Sequence, residues 1–168
     1  VISNNGQSRW TVRDCIISGA YNGIYVQDQN AATIANVWMN AGTGVYGLKV
    51  YGSGIAASQV CDIHNFVVGF GTNLITSPTG ILIDGDATTV DIRHVGVTKG
   101  FRGLAVVNTP NFSLGPLFVT AYDMQSDFPY AESFYFDGGT GSTRTHHIDS
   151  CYAQRSQTSN GISMNSTS

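Results

Sequence analysis

Asp84 and Asp86 flank Gly85 in the stretch Gly80-Ile81-Leu82-Ile83-Asp84-Gly85-Asp86. Two nearby carboxyls are the groups that cut a glycosidic bond, one as acid and the other as base or nucleophile. Such pairs stand about 5 Å apart for retention and roughly 6.5–9.5 Å apart for inversion. Asp137 closes the related stretch Phe134-Tyr135-Phe136-Asp137 and is a third candidate catalytic carboxyl. Tyr25, Asp28, Lys49, Tyr51, Tyr135 and Glu132, the lone glutamate, are candidate substrate-binding residues. Tyrosine rings stack on sugar faces, and carboxylates and amines hydrogen-bond hydroxyls. The plain alternative is that Asp84-Gly85-Asp86 is a turn and the tyrosines and Lys49 merely face solvent on strands.

Other chemistries find less support. His146 and His147 are adjacent, so on a strand they point to opposite faces and make a poor metal pair. No Cys/His spacing suggests zinc, and no metal or cofactor is expected. The glycine-rich run from Gly138 to Ser142 lacks the lysine and helix of a phosphate loop. Cys15, Cys61 and Cys151 read as free thiols, with Cys15 and Cys151 facing inward and Cys61 outward.

These residues ride on a repeat. Gly, a branched apolar residue, any residue and another apolar residue recur as Gly23-Ile24-Tyr25-Val26, Gly47-Leu48-Lys49-Val50, Gly80-Ile81-Leu82-Ile83, Gly103-Leu104-Ala105-Val106 and Gly161-Ile162-Ser163-Met164. Ser133-Phe134-Tyr135-Phe136 fills the gap in the series without its glycine. Between these copies lies a second phrase with a polar residue among apolar ones. It appears as Val12-Arg13-Asp14-Cys15, Ile34-Ala35-Asn36-Val37, Val60-Cys61-Asp62-Ile63, Ile92-Arg93-His94-Val95 and Ile148-Asp149-Ser150-Cys151. Phe112-Ser113-Leu114 is the nearest equivalent in the degenerate fifth copy.

Two-residue alternation means strands with one face in and one out. Each unit is too short to bury a core alone and must stack on its neighbours. About three short strands per coil, stacked about 4.8 Å apart, make an all-β, right-handed parallel β-helix. The polar residue of the second phrase marks a sharp bend, where Asp14, Asn36, Asp62, His94 and Ser150 form a column. The whole chain, 1–168, reads as one β-helix segment of about six coils with a non-repeat loop around 120–133. Opening on Val1 without Met, it reads as a fragment of a longer chain. The outward ladder Tyr25, Lys49, Leu82, Ala105, Tyr135, Ser163 is then the strip on which a linear polymer would lie.

Composition agrees. Only 11% of the 168 residues are charged, against about 25% in an ordinary domain. Helix formers are scarce and Gly is frequent, at 20. That excludes a helical bundle. With a net charge of −3 and no basic stripe, nucleic acid is not an expected partner. No run of about 20 apolar residues is present, so no membrane span is expected.

The Gly-Ile-x-Val and x-Val-x-Asp/Asn-x-Ile copies, with the final phrase Ile148-Asp149-Ser150-Cys151-Tyr152-Ala153, resemble the pectate-lyase-like right-handed β-helix superfamily. They look most like the central domains of bacteriophage tailspike and tail-fibre proteins. That resemblance implies a homotrimer in the virion tail, alongside other tail proteins, binding bacterial surface polysaccharide. It also implies an enzyme in many cases, a glycoside hydrolase or polysaccharide lyase that depolymerises the glycan. Two other readings stay open: a non-catalytic structural segment of a virion fibre or trimeric adhesin, and a secreted or cell-surface bacterial polysaccharide lyase or epimerase. The Asn-Thr-Asp, Asp-Asp and Gly-His-Gly signatures of pectinases are missing from this chain.

Overall fold

The computed structural model describes residues 9–28, 31–42, 44–53, 59–71, 78–86, 88–109, 118–127, 129–140, 145–154 and 161–167. Alternation in the sequence becomes strand throughout, and no helix occurs among these residues. In chain order the strands are β1 (Arg9–Ala20), β2 (Ile24–Gln27), β3 (Ala31–Ala41), β4 (Tyr46–Ser53), β5 (Gln59–Phe70), β6 (Thr79–Asp86), β7 (Thr88–Thr98), β8 (Arg102–Val107), β9 (Phe118–Asp127), β10 (Phe134–Thr140), β11 (Thr145–Asp149), β12 (Tyr152–Gln154) and β13 (Ile162–Thr167).

Successive strands alternate between two sheets. One sheet runs β1-β3-β5-β7-β9-β11, with β12 also on β9; the other runs β2-β4-β6-β8-β10-β13. Every pairing is parallel. The fold is therefore a parallel β-solenoid. Like residues stack on like because the same phrase returns on each circuit. Ile34, Ile63 and Ile92 lie opposite one another and are fully buried. Across the core, Leu48, Ile81 and Leu104 do the same. Each such side chain contributes roughly 1.5–3 kcal/mol by leaving water.

The circuit differs from the expected three short strands. The two outer segments of each long strand belong to one continuous ladder, bent at a single residue of positive φ. Asp14 (54°), Asn36 (54°), Asn65 (51°), His94 (53°), Asp123 (51°) and Ser150 (54°) hold this place. Asn, Asp and His tolerate the left-handed region far better than β-branched residues do. One such residue turns the chain without breaking the register on either side. One expectation about this column is corrected. Asn65, not Asp62, is the bend residue of β5, because Ala35 pairs with His64 and Val37 with Phe66. Asp62 lies on the flat part of the strand, opposite Thr33 and Asp91.

The fifth copy is Ala121-Tyr122-Asp123-Met124, in register with Ile92-Arg93-His94-Val95. Phe112-Ser113-Leu114, the expected equivalent, lies outside the described residues. The segment expected to loop out around 120–133 is in large part strand, since β9 pairs with β7 from Phe118 to Asp127. Cys61 also departs from its expected outward slot. It is 1% exposed, opposite Ala32 and Val90, as a small apolar core residue. Cys15, Cys61 and Cys151 are all free.

The recurrent glycine has a packing cause. A Cβ on Gly80 would lie 2.6 Å from the Gly103 carbonyl oxygen and 2.5 Å from Val97 Cγ1. Gly47 is pressed in the same way, its Cβ falling 2.8 Å from the Gly80 carbonyl. The backbones of the second sheet thus approach too closely at this corner for a side chain.

Candidate functional site

The register makes the expected outward ladder a single column. Tyr25 pairs with Lys49, Lys49 with Leu82, Leu82 with Ala105, Ala105 with Tyr135 and Tyr135 with Ser163. From Tyr25 to Tyr135 is four strand spacings, about 19 Å. The column is not uniformly open: Ala105 is 1% exposed, and Tyr25, Lys49, Leu82 and Tyr135 are half-buried. Two polar clusters stand on it, separated by Leu82 and Ala105.

The first cluster gathers Tyr25, Asp28, Lys49, Tyr51 and Asp84, five of the residues singled out by sequence. Lys49 Nζ lies 3.4 Å from Asp84 Oδ2, 5.0 Å from the Tyr51 ring centre and 6.0 Å from that of Tyr25. Tyr46 joins them, its ring centre 6.3 Å from that of Tyr25. The Asp84 side chain is only 6% exposed, and its Oδ1 accepts the Thr109 backbone N–H at 2.9 Å. Asp28 accepts the Ser53 N–H at 2.8 Å and the Ser53 hydroxyl at 2.7 Å. Each carboxylate therefore ties its own strand end to the next strand of the sheet. Burial, with added repulsion from Tyr51, Tyr46, Asp28 and Asp84, pushes the Tyr25 hydroxyl up to about 12. Burial raises Tyr46 as well. Both stay neutral hydrogen-bond donors at any physiological pH.

The second cluster holds Tyr135, Glu132 and Asp137 around Arg102. Arg102 Nε lies 2.7 Å from Glu132 Oε2, and the guanidinium carbon sits 3.7 Å from the Tyr135 ring centre. The Tyr135 hydroxyl donates to Asp137 Oδ2 at 3.1 Å. Phe101 and Tyr130 stack beside it at 6.2 Å. Glu132 is positioned by its backbone, whose carbonyl accepts the Gly103 N–H.

The carboxyl pairs fare differently. Asp86 is placed by its backbone opposite Ser53, but its side chain lies outside the described set. Between it and Asp84, Gly85 has φ of 92° and packs on Gly52. Asp84 pairs with Val107, and Asp137 follows Phe136, the partner of Val106. Asp84 and Asp137 are thus two strand spacings apart, about 10 Å.

Sequence reasoning passed over Arg102 and Tyr46. Both directly precede the recurrent glycine, and both pair with Thr79, so the position before the glycine forms a column of its own. Reading that position across the copies would have found them. It also passed over the bent sheet's outer face, where Ile16 is 80% and Trp38 62% exposed. These two pair with each other and Trp38 with Val67, lining a shallow groove with Asp14, Asn36 and Asn65.

Among the described residues no group of three or more His, Cys, Asp or Glu gathers as a metal site, and no helix is long and apolar enough to cross a membrane. No protein-family model, no curated protein and no solved structure matches this chain.

Proposed function

We propose that this chain is a receptor-binding part of a bacteriophage tailspike or tail fibre, and that it binds bacterial surface polysaccharide along the Tyr25–Tyr135 column. The observation that carries the reading is the pair of aromatic–cation clusters on one outward column of a rigid parallel sheet. A linear glycan needs a long, straight row of ring faces and hydrogen-bonding groups, and a solenoid supplies one at fixed spacing. Tyr25, Tyr51 and Tyr135 offer the rings, while Lys49, Asp28 and Glu132 flank them.

Depolymerisation is a second reading, resting on the placement of Asp84 and Asp137 two strand spacings apart, about 10 Å between strands, just beyond the roughly 6.5–9.5 Å carboxyl separation used for inversion. Against it, Asp84 is buried and already holds Lys49 and the Thr109 N–H, as a carboxylate with a structural role does.

The homotrimer and the virion location belong to the same proposal. Exposed apolar patches mark interaction surfaces, and Ile16 and Trp38 on the other sheet supply one for neighbouring subunits or other tail proteins.

The test is sedimentation of the protein with purified capsule or O-antigen, followed by assay for released sugar fragments. Binding without fragments supports a purely adhesive role. Fragments that vanish in Asp84→Asn and Asp137→Asn support hydrolysis. Neither binding nor fragments would leave the structural-fibre reading.

A further inference from the structure

The two ends of the bent sheet carry the same phrase in the same register. Among the described residues this sheet stops at β1 on one side and at β11 and β12 on the other, and no strand pairs with their outer edges. An unpaired strand edge is a template for another strand. The inward column Cys15-Val37-Phe66-Val95-Met124-Cys151 shows what the ends lack. Its four middle members are at most 2% exposed, whereas Cys15 and Cys151 are half-buried. Val12 and Ile148, which end the neighbouring inward column, are half-buried too. Each end therefore leaves apolar surface that one more circuit would cover.

The charges at the two ends are opposite. Arg13 begins the outward column Arg13-Ala35-His64-Arg93-Tyr122, and Asp149 ends it. Each has a loose local partner, Asp14 at 3.8 Å for Arg13 and the Ser150 hydroxyl at 3.2 Å for Asp149, and both stay exposed. We infer that β11 and β12 of one copy of this chain stack on β1 of a second copy in parallel register, so that molecules join end to end. Ile148 then covers Val12, Cys151 covers Cys15, and Asp149 faces Arg13 across one strand spacing, about 4.8 Å. The bends coincide, since Asp14 opens and Ser150 closes the column of positive φ. The contact repeats the one each circuit makes with the next, and no like charges meet across it. Its two faces are different surfaces, so it is heterologous and builds an open row of molecules, not a closed ring. Ile162 and Met164, 49% and 71% exposed on β13 at the same end, add apolar area. The contact is independent of what the Tyr25–Tyr135 column binds.

The experiment is sedimentation velocity of the full chain under reducing conditions, from dilute to concentrated solution, with electron microscopy of the concentrated sample. Mass should grow with concentration, and the rows should show an axial repeat of six strand spacings, about 29 Å. A size independent of concentration would overturn the inference. Arg13→Asp sets two carboxylates face to face and should weaken association about tenfold. Adding Asp149→Arg restores an opposite pair and should recover it. No recovery in a double variant with a native far-UV spectrum would overturn the inference. Growth abolished by Trp38→Arg and untouched by Arg13→Asp would assign the contact to the outer face of the sheet and overturn it as well. Oxidised glutathione, which takes two electrons and two protons from each thiol pair, gives a check on direction. It should join copies through Cys15 and Cys151, since about 4.8 Å between strands falls within disulfide reach. Bonds mapped to Cys15–Cys15 or Cys151–Cys151 would overturn the head-to-tail order.

Discussion

Lys49 Nζ, on β4, reaches across one strand spacing to Asp84 Oδ2, on β6, at 3.4 Å, and both side chains are largely out of solvent at 22% and 6% exposure. Removing one partner of such a pair strands the other. Lys49→Met should destabilise the protein by about 2–3 kcal/mol, less than the ~3–5 kcal/mol of a fully buried pair because Lys49 is partly solvated. Asp84→Asn keeps an acceptor for the Thr109 N–H and should cost about 1 kcal/mol. Urea unfolding of both variants checks the order; an Asp84→Asn protein less stable than Lys49→Met would contradict it.

The bend column makes a sharper demand on backbone than on side chain. The Asn36 side-chain amide donates to Asp14 Oδ1 at 2.8 Å, and Asn65 donates to Asn36 Oδ1 at 3.0 Å. Asn36→Gly loses these exposed bonds but keeps the conformation, and should cost about 1 kcal/mol. Asn36→Val also forces a β-branched residue to φ near 54°, adding about 1–2 kcal/mol. Equal midpoints for the two variants would show that φ is not the constraint.

Two glycines should respond oppositely to the same methyl group. Gly80→Ala drives a Cβ against the Gly103 carbonyl and Val97 and should cost about 1–3 kcal/mol. Gly69→Ala meets nothing within 4 Å and should stay within about 0.5 kcal/mol of the parent. Thermal melts of the pair decide it.

Alkaline pH should weaken the fold through two groups. Burial pushes the Cys61 thiol up to about 12, from an ordinary value near 9. Tyr25 rises to about 12 from 10. Both are protonated in the folded state where the unfolded chain has already lost the proton. Their contribution is whole below pH 9 and drains away as pH climbs from 9 to 12. Stability measured over that range should fall less steeply in Cys61→Ala than in the parent. At pH 8, iodoacetamide should alkylate the half-buried Cys15 and Cys151 well before Cys61, which should react only after urea is added.

If Ile16 and Trp38 are covered by neighbouring subunits, Trp38→Arg should shift sedimentation from trimer to monomer without changing the far-UV spectrum. A parent protein that sediments as a monomer would remove that role from the patch.

Strand alternation, the stacking of like phrases and the outward column from Tyr25 to Ser163 were legible because a solenoid writes its register into the repeat. Asn65 and Asp123 were not, and the reason is local. The bend requires one residue of positive φ, and several polar residues within each phrase satisfy that need on paper. In β5 both Asp62 and Asn65 qualify, and only the pairing of Val37 with Phe66 chooses between them. Cys61 was misplaced by the same three-residue slip. The clusters themselves could be read only in part. Tyr25, Lys49 and Tyr135 sit inside the motif, whereas Arg102 and Tyr46 sit one residue outside it. That Asp84 is a buried tie between strands, more than a free acid, depends on Thr109 and Lys49, which lie 25 and 35 positions away in sequence.

The constant stacking of each strand on its next circuit also sets how the protein comes apart. Every strand of β3, β5 and β7 has parallel partners on both sides, and Ile63 and Ile92 are fully buried while Val12 and Ile148 are only partly so. With contacts limited to adjacent circuits, opening is a matter of unzipping one circuit at a time. Amide exchange should accordingly be slowest at β5 and β7 and quicken step by step toward β1 and β11, so that stability is a gradient along the stack and not a single number.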